Sequence, residues 1–466
     1  MSDGFHDVLD WLWRITGSYK DVDTLVDTPV MTGPRTFLPS VFDVTGLATA
    51  AVAAATLAAA EFHAARREEP VAAVLVDSIS ASAGFSCESL FRPLGWKQPP
   101  LWDPLAGNYR AADGWIRLHT NYAYHRAAVE RALDAHDRDA VRAAVGSRPA
   151  AEIEAAVVAA GGAAAVMYER ERWLSLPQGA ATIAAPAVSV TERSRLSSGP
   201  GRRLSGGAMP FDGVRVLDLT RVIAGPVATR FLAAYGAEVL RIDPPGFEEV
   251  PSLLPETTLG KRTAALDLTV KADRATFERL LAAADVLVTG LRADALPGLG
   301  YDEQTLTALN PELIIASLDA YGWEGPWRNR RGFDSLVQMS CGIAAEGAAA
   351  LSQDEPAPLP VQALDHATGW LLATAITRAL TRKLTTSTTA RIHACLIGTA
   401  NVLYSLPRPA ERPPRPNLKD LPTEATYTFW GPASRVPLPG QIDGVRPRWR
   451  EQAGPLGRHS ATWRDR

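Results

Sequence analysis

Val214-Arg-Val-Leu-Asp-Leu-Thr220 runs directly into Arg221-Val-Ile-Ala-Gly-Pro226. A short aliphatic and β-branched run that meets Gly and Pro reads as a strand, a tight turn and a helix start. Pro226 suits a first helical position, and Gly225 permits close backbone approach. The alternation then repeats. Glu238–Ile242, Lys261–Asp267, Val286–Val288 and Leu313–Ser317 read as strands, while Val227–Ala234, Asp273–Ala284 and Glu303–Leu309 carry a helical period. Strands alternating with helices predict a Rossmann-like parallel sheet with helices on both faces. The first turn is not GxGxxG, so a dinucleotide cofactor is not expected.

Residues 187–212 interrupt this pattern. Ser189 to Gly207 is polar, basic and rich in Gly and Ser, which reads as a linker. Ahead of it, Leu47–Arg66 reads as a long helix and Ala72–Asp77 as a strand. Tyr109–Leu118 reads as a hairpin turning at Asp113-Gly114, followed by helical segments at Tyr122–Leu133, Asp137–Val145 and Ala150–Ala160. The expected organisation is a helix-rich partial repeat over 1–95, a smaller α+β domain over 96–186, the linker over 187–212 and a Rossmann-like domain over 213–466. The repeat is seen where Leu38-Pro-Ser-Val-Phe-Asp-Val-Thr-Gly46, a helix and Val71–Asp77 echo a later series. That series is Leu359-Pro-Val-Gln-Ala-Leu-Asp-His-Ala-Thr-Gly369, a helix and Ala390–Ala394.

The 466 residues suffice for more than one core, with 46% hydrophobic and 21% charged residues and a net charge of −3. Nothing in that balance offers a basic field to nucleic acid or to anionic lipid. Val44–Ala60 is uncharged but falls short of a membrane span and reads as a buried helix. Cys87, Cys341 and Cys395 lie far apart without metal-ligand spacing, so neither zinc nor a disulfide framework is expected. Cys341 and Cys395 read as packing residues, and a reducing cytoplasm is the expected compartment.

Asp285-Val-Leu-Val288, Leu313-Ile-Ile-Ala-Ser317, Arg331-Gly-Phe-Asp-Ser-Leu-Val-Gln338 and Ala363-Leu-Asp-His-Ala-Thr-Gly369 complete the series in a fixed order. The whole set resembles the family III CoA-transferases, the CaiB/BaiF group. The resemblance implies that family's fold and transfer of coenzyme A from an acyl-CoA to a carboxylic acid, with coenzyme A as substrate and no resident cofactor. Asp365 would be the nucleophile, passing through a mixed anhydride and an aspartyl-CoA thioester. Val222, Ile223 and Ala224 would contact coenzyme A, Lys261 and Arg262 would lie near its phosphates, and Arg331 would help hold it. Asp365 stands just before the helical run Ala367–Lys383, whose free N–H groups and dipole would favour the charged carboxylate. The alternative is that Asp365 is only a helix cap, the role expected of its counterpart Asp43. His366 either tunes that carboxylate, bonds an acyl oxygen or faces solvent.

Three departures accompany the resemblance. Gly290 stands where an Asn commonly serves coenzyme A, and no glycine-rich loop is recognisable. Phe333 occupies the place where related α-methylacyl-CoA racemases carry a proton-transferring His. The later part of the family order also comes first here, as a rearranged one-and-a-half-copy chain. It would work either as a homodimer or as an intramolecular pseudo-dimer. The alternatives are a racemase or epimerase using other bases, and a catalytically degenerate acyl-CoA-binding member.

Overall fold

The computed structural model describes residues 4–17, 27–194, 207–386, 388–414, 416 and 421–464. At its centre lies a seven-stranded sheet. Its order is Arg262–Ala265, Glu238–Asp243, Arg215–Leu219, Val286–Thr289, Ile314–Asp319, Thr388–Cys395 and Val188–Ser194. All neighbours pair in parallel except the last, which is antiparallel. Counted from Arg215, the parallel strands run 3-2-1-4-5-6, the doubly wound order. Successive connections leave in opposite directions from the Arg215–Leu219 and Val286–Thr289 strands, which opens a crevice beyond their carboxyl ends.

The strand sequences follow from burial on both faces. Val216, Val239, Val286, Val288, Ile314 and Ala316 face the core containing the long helices. Leu217, Leu240, Leu287 and Ile315 point the other way, onto Phe277, Leu281, Tyr301 and Leu306. Both sets are apolar, so each strand reads as a continuous aliphatic run.

Part of the segment expected to be a linker is built into this sheet. Val188–Ser194 pairs along Thr388–Cys395, with Val190 opposite Ile392. The open edge of that strand supplies the partner which the local Glu192-Arg193 polarity conceals. Residues 195–206 lie outside the described residues. Downstream of them Phe211 is buried, and Arg66 donates to the carbonyls of Pro210 and Asp212.

Two helices of 24 residues, Val44–Arg67 and Ala363–Thr386, pack along each other. Val44–Arg67 is long and apolar enough to cross a membrane, and 94% of its most apolar window is buried within the protein. Alanine along its length removes the bulk that would hold the partner helix away. The smaller unit has the expected hairpin, Gly107–Arg110 with Trp115–Leu118, plus a third strand, Ala164–Val166. Its three helices, Ala123–Leu133, Arg138–Gly146 and Ala150–Ala159, close a core around Ile116, Val129 and Ile153. Ala163 and Ala165 pack on Leu336 and Met339, which docks this unit beside the crevice.

Candidate active site at the sheet switch point

The turn after Arg215–Leu219 holds Val222 at φ +63°, a left-handed conformation that a β-branched residue seldom adopts. Glu249 holds it there by accepting the Val222 N–H at 3.1 Å. The same carboxylate meets Arg241 at 3.0 Å and accepts the Tyr122 hydroxyl. Burial alone would raise Glu249, but Arg241 and these hydrogen bonds hold it below the usual carboxylate range. Tyr122 thereby ties the smaller unit to the strained turn.

Asp365 lies in the first turn of Ala363–Thr386, which starts earlier than its sequence period suggests. Asp334 sets that start: its Oδ2 accepts the N–H groups of Leu364 at 2.8 Å and Asp365 at 3.0 Å. Gln338 donates to Asp334 and accepts the Leu359 N–H at 2.7 Å, pinning the approach to the helix. The expected use of free helix N–H groups by Asp365 is thus corrected, because Asp334 takes them. No hydrogen bond to the Asp365 carboxyl is formed among the described residues. Burial, then Asp334 and Glu88, push it well above the ordinary carboxylate range. Burial likewise raises Asp334, to about 6.

Gly369 explains the spacing of the motif. Four residues beyond Asp365 it lies on the same helical face, and a β-carbon there would sit 2.4 Å from the Ala224 carbonyl oxygen. The absent side chain lets the helix cross the Arg221–Pro226 turn in contact, and so aims Asp365 at that turn.

His366, one residue on, is buried rather than solvent-facing. Its Nε2 is 3.0 Å from Glu88 Oε2, and its ring stacks on Phe85 with centroids 5.3 Å apart. Cys87, Glu88 and His366 offer three potential ligand atoms within 4.8 Å of one another. Burial pushes the Cys87 thiol up, keeping it neutral, and Arg230 already donates to its sulfur at 3.4 Å. That arrangement suits packing better than a cation.

Val222, Ala224, Arg331 and Asp365 line one cavity of about 280 Å³ at the switch point. Ile223 turns away, toward Glu88, Arg230 and His366. The structure also places Lys261 and Arg262 away from the cavity. Lys261 is buried against Asp218 at 3.0 Å and donates to the Pro226 carbonyl. Burial lowers its ammonium to about 8 despite Asp218. Arg262 faces the C-terminal segment, donating to the carbonyls of Thr462 and Ser460.

The cavity's cations are Arg221, Arg292, Arg330 and Arg331, of which only Arg331 was singled out from sequence. Arg221 caps the Phe247 ring at 3.7 Å, and Arg330 pairs with Glu154 at 3.0 Å. Asp319, at a strand end beside them, is raised to about 7 by burial. Tyr122, Tyr124 and His125 complete one wall from the smaller unit. Local sequence signals missed these residues, since an ordinary helix start carries no mark of what packs against it. The counterpart Asp43 accepts the Gly46 N–H at 2.8 Å and meets Arg35, as a helix cap.

The fold and cavity together define a doubly wound α/β protein with an arginine-lined crevice at its switch point. Residues 211–407 match the sequence model of CoA-transferase family III. A probable fatty acyl-CoA transferase, Rv3272 of Mycobacterium tuberculosis, is 35% identical over 186 residues, 37% of this chain and 47% of that protein. The CoA-transferase/lyase DddD of a Marinomonas species is 31% identical over 222 residues, 46% of this chain and 26% of that one. The chain thus spans about half, or less, of the length of these curated relatives. A crystal structure of Rv3272 aligns at 31% identity over 42% of this chain and 55% of that chain, with a TM-score of 0.39.

Proposed function

We propose that this protein transfers coenzyme A from an acyl-CoA to a carboxylic acid, with Asp365 as nucleophile. The supporting observation is a buried carboxyl facing the switch-point cavity with no hydrogen bond from the described residues. An Asp365 oxygen attacks the thioester carbonyl carbon; the C–S bond breaks and coenzyme A leaves as thiolate. The thiolate attacks the aspartyl carbonyl of the mixed anhydride, releasing the donor acid and leaving an aspartyl-CoA thioester. The acceptor carboxylate attacks that thioester and expels the thiolate, which attacks the new acyl carbonyl and restores Asp365. The arginines suit the phosphates of the substrate, with guanidinium forks that match phosphate oxygens.

Asp365 must lose its proton to react. Burial beside Asp334 and Glu88 makes the resulting carboxylate poorly solvated, which raises its reactivity. Phe333 cannot carry a proton, and its ring stacks on His119 with centroids 3.7 Å apart. This argues against the simplest racemase mechanism.

Glu88, Phe85, Tyr122 and His125 precede the chain's midpoint, whereas Asp334 and Asp365 follow it, which supports a rearranged chain that assembles one site within a single polypeptide. The test is to follow coenzyme A from an acyl-CoA to a labelled carboxylic acid by mass spectrometry, using protein resolved by size. Exchange by a monomer, abolished in Asp365→Asn, is expected. Full exchange by that variant would remove the mechanism, and exchange by dimers alone would remove the single-chain site.

A further inference from the structure

His125 is 1% exposed, and neither Nδ1 nor Nε2 has a hydrogen-bond partner among the described residues. His125 is among the residues that line the same cavity as Asp365. Three aromatic rings fix its position: Tyr124 at 4.4 Å, Tyr122 at 5.5 Å and Phe333 at 5.6 Å between centroids. Tyr122 is itself fastened to Glu249, so the wall is rigid. Burial, and secondarily Arg331, lower the imidazole to about 4, leaving it neutral with one N–H and one lone pair.

Buried polar groups in folded proteins are nearly always paired. Two ring nitrogens without partners among the described residues, where Tyr122, Tyr124 and Phe333 pack around His125 at the cavity, therefore mark a contact completed from inside the cavity. A saturated hydrocarbon chain would leave both nitrogens unpaired, whereas a hydroxyl or carboxylate would satisfy one or both. A site built to hydrogen-bond a substrate oxygen discriminates strongly against the analogue that lacks it.

Resting on the coenzyme A reading above, we propose that His125 is a substrate-recognition residue selecting acyl groups that carry an oxygen function beyond the reacting carbonyl, in preference to plain alkanoyl groups. The imidazole N–H donates to that oxygen, and the other nitrogen accepts from a hydroxyl where one is present. Nothing in this recognition requires proton transfer to or from His125.

The test compares the affinities of free coenzyme A, butyryl-CoA, 3-hydroxybutyryl-CoA and succinyl-CoA by calorimetry, for wild type, His125→Phe and His125→Gln. Wild type is expected to bind at least one oxygenated thioester about tenfold or more tighter than butyryl-CoA. His125→Phe should erase that difference while leaving free coenzyme A affinity unchanged, and His125→Gln, which keeps a donor and an acceptor, should restore part of it. Equal affinities in wild type, or a preference that survives in His125→Phe, overturns the proposal. If His125→Phe does not fold, the wild-type comparison and a preference retained in His125→Gln decide the matter. Failure of wild type to bind free coenzyme A or any thioester overturns the coenzyme A reading itself, a result distinct from binding without preference.

Discussion

His366 Nε2 lies 3.0 Å from Glu88 Oε2, joining the helix that carries Asp365 to the short helix Cys87–Leu90. Burial would raise the Glu88 carboxyl, but His366, together with a backbone hydrogen bond and Arg230, outweighs it and keeps Glu88 below its usual range. Glu88 therefore stays charged and, with Asp334, opposes ionisation of Asp365. Glu88→Gln is expected to move the acid limb of the transfer rate to lower pH, because one opposing charge is gone. Glu88→Ala, which leaves a buried imidazole nitrogen unpaired, is expected to cost about 1–3 kcal/mol. A pH–rate profile and a denaturant titration measure the two effects, and an unmoved acid limb would remove Glu88 from the electrostatics of the site.

The raised Asp365 carboxyl also predicts a trade between stability and activity. A folded carboxyl above its unfolded value binds its proton more tightly than the unfolded chain does. Its stabilising protonation is complete below the unfolded value and is lost as pH rises through the folded one. Asp365→Asn should therefore approach wild type in stability at about pH 3, below the unfolded carboxyl range, and exceed it at neutral pH. Urea unfolding at both pH values checks the sign. A variant less stable than wild type at neutral pH would contradict the burial argument.

Gly369→Ala places a methyl 2.4 Å from the Ala224 carbonyl oxygen and 2.8 Å from Val227 Cβ. The helix must shift, at a cost of about 1–3 kcal/mol. Because the same face aims Asp365, the transfer rate should fall by about tenfold or more. Thermal unfolding and a transfer assay on the variant measure both, and a fully active, fully stable Gly369→Ala protein would show that the close crossing is not needed.

The parallel strands were legible because both faces are covered, so runs such as Val286-Leu-Val288 stay aliphatic throughout and end at Gly or Asp. Val188–Ser194 was not, since an edge strand can carry Glu192 and Arg193, and Gly- and Ser-rich sequence follows it. Asp365 stood out through its spacing to Gly369, a local consequence of one helix crossing one turn. Its ionisation is not legible locally, because burial, and then Asp334 and Glu88, set it, and all three arise from segments packed on it in the fold. Lys261 shows the same limit: its basic character is plain in Gly260-Lys261-Arg262, but Asp218, two strands across the sheet, captures it. His125 gave no signal, because its significance depends on which rings and which cavity the fold places around it.

Covalent activation of Asp365, as proposed above, leaves a chemical trace on that side chain. The direct measurement is to incubate the protein with an acyl-CoA, trap with hydroxylamine and map the modified peptide by mass spectrometry. A hydroxamate confined to Asp365 is the predicted result. Coenzyme A transfer that proceeds while Asp365 remains unmodified would exclude Asp365 as the nucleophile.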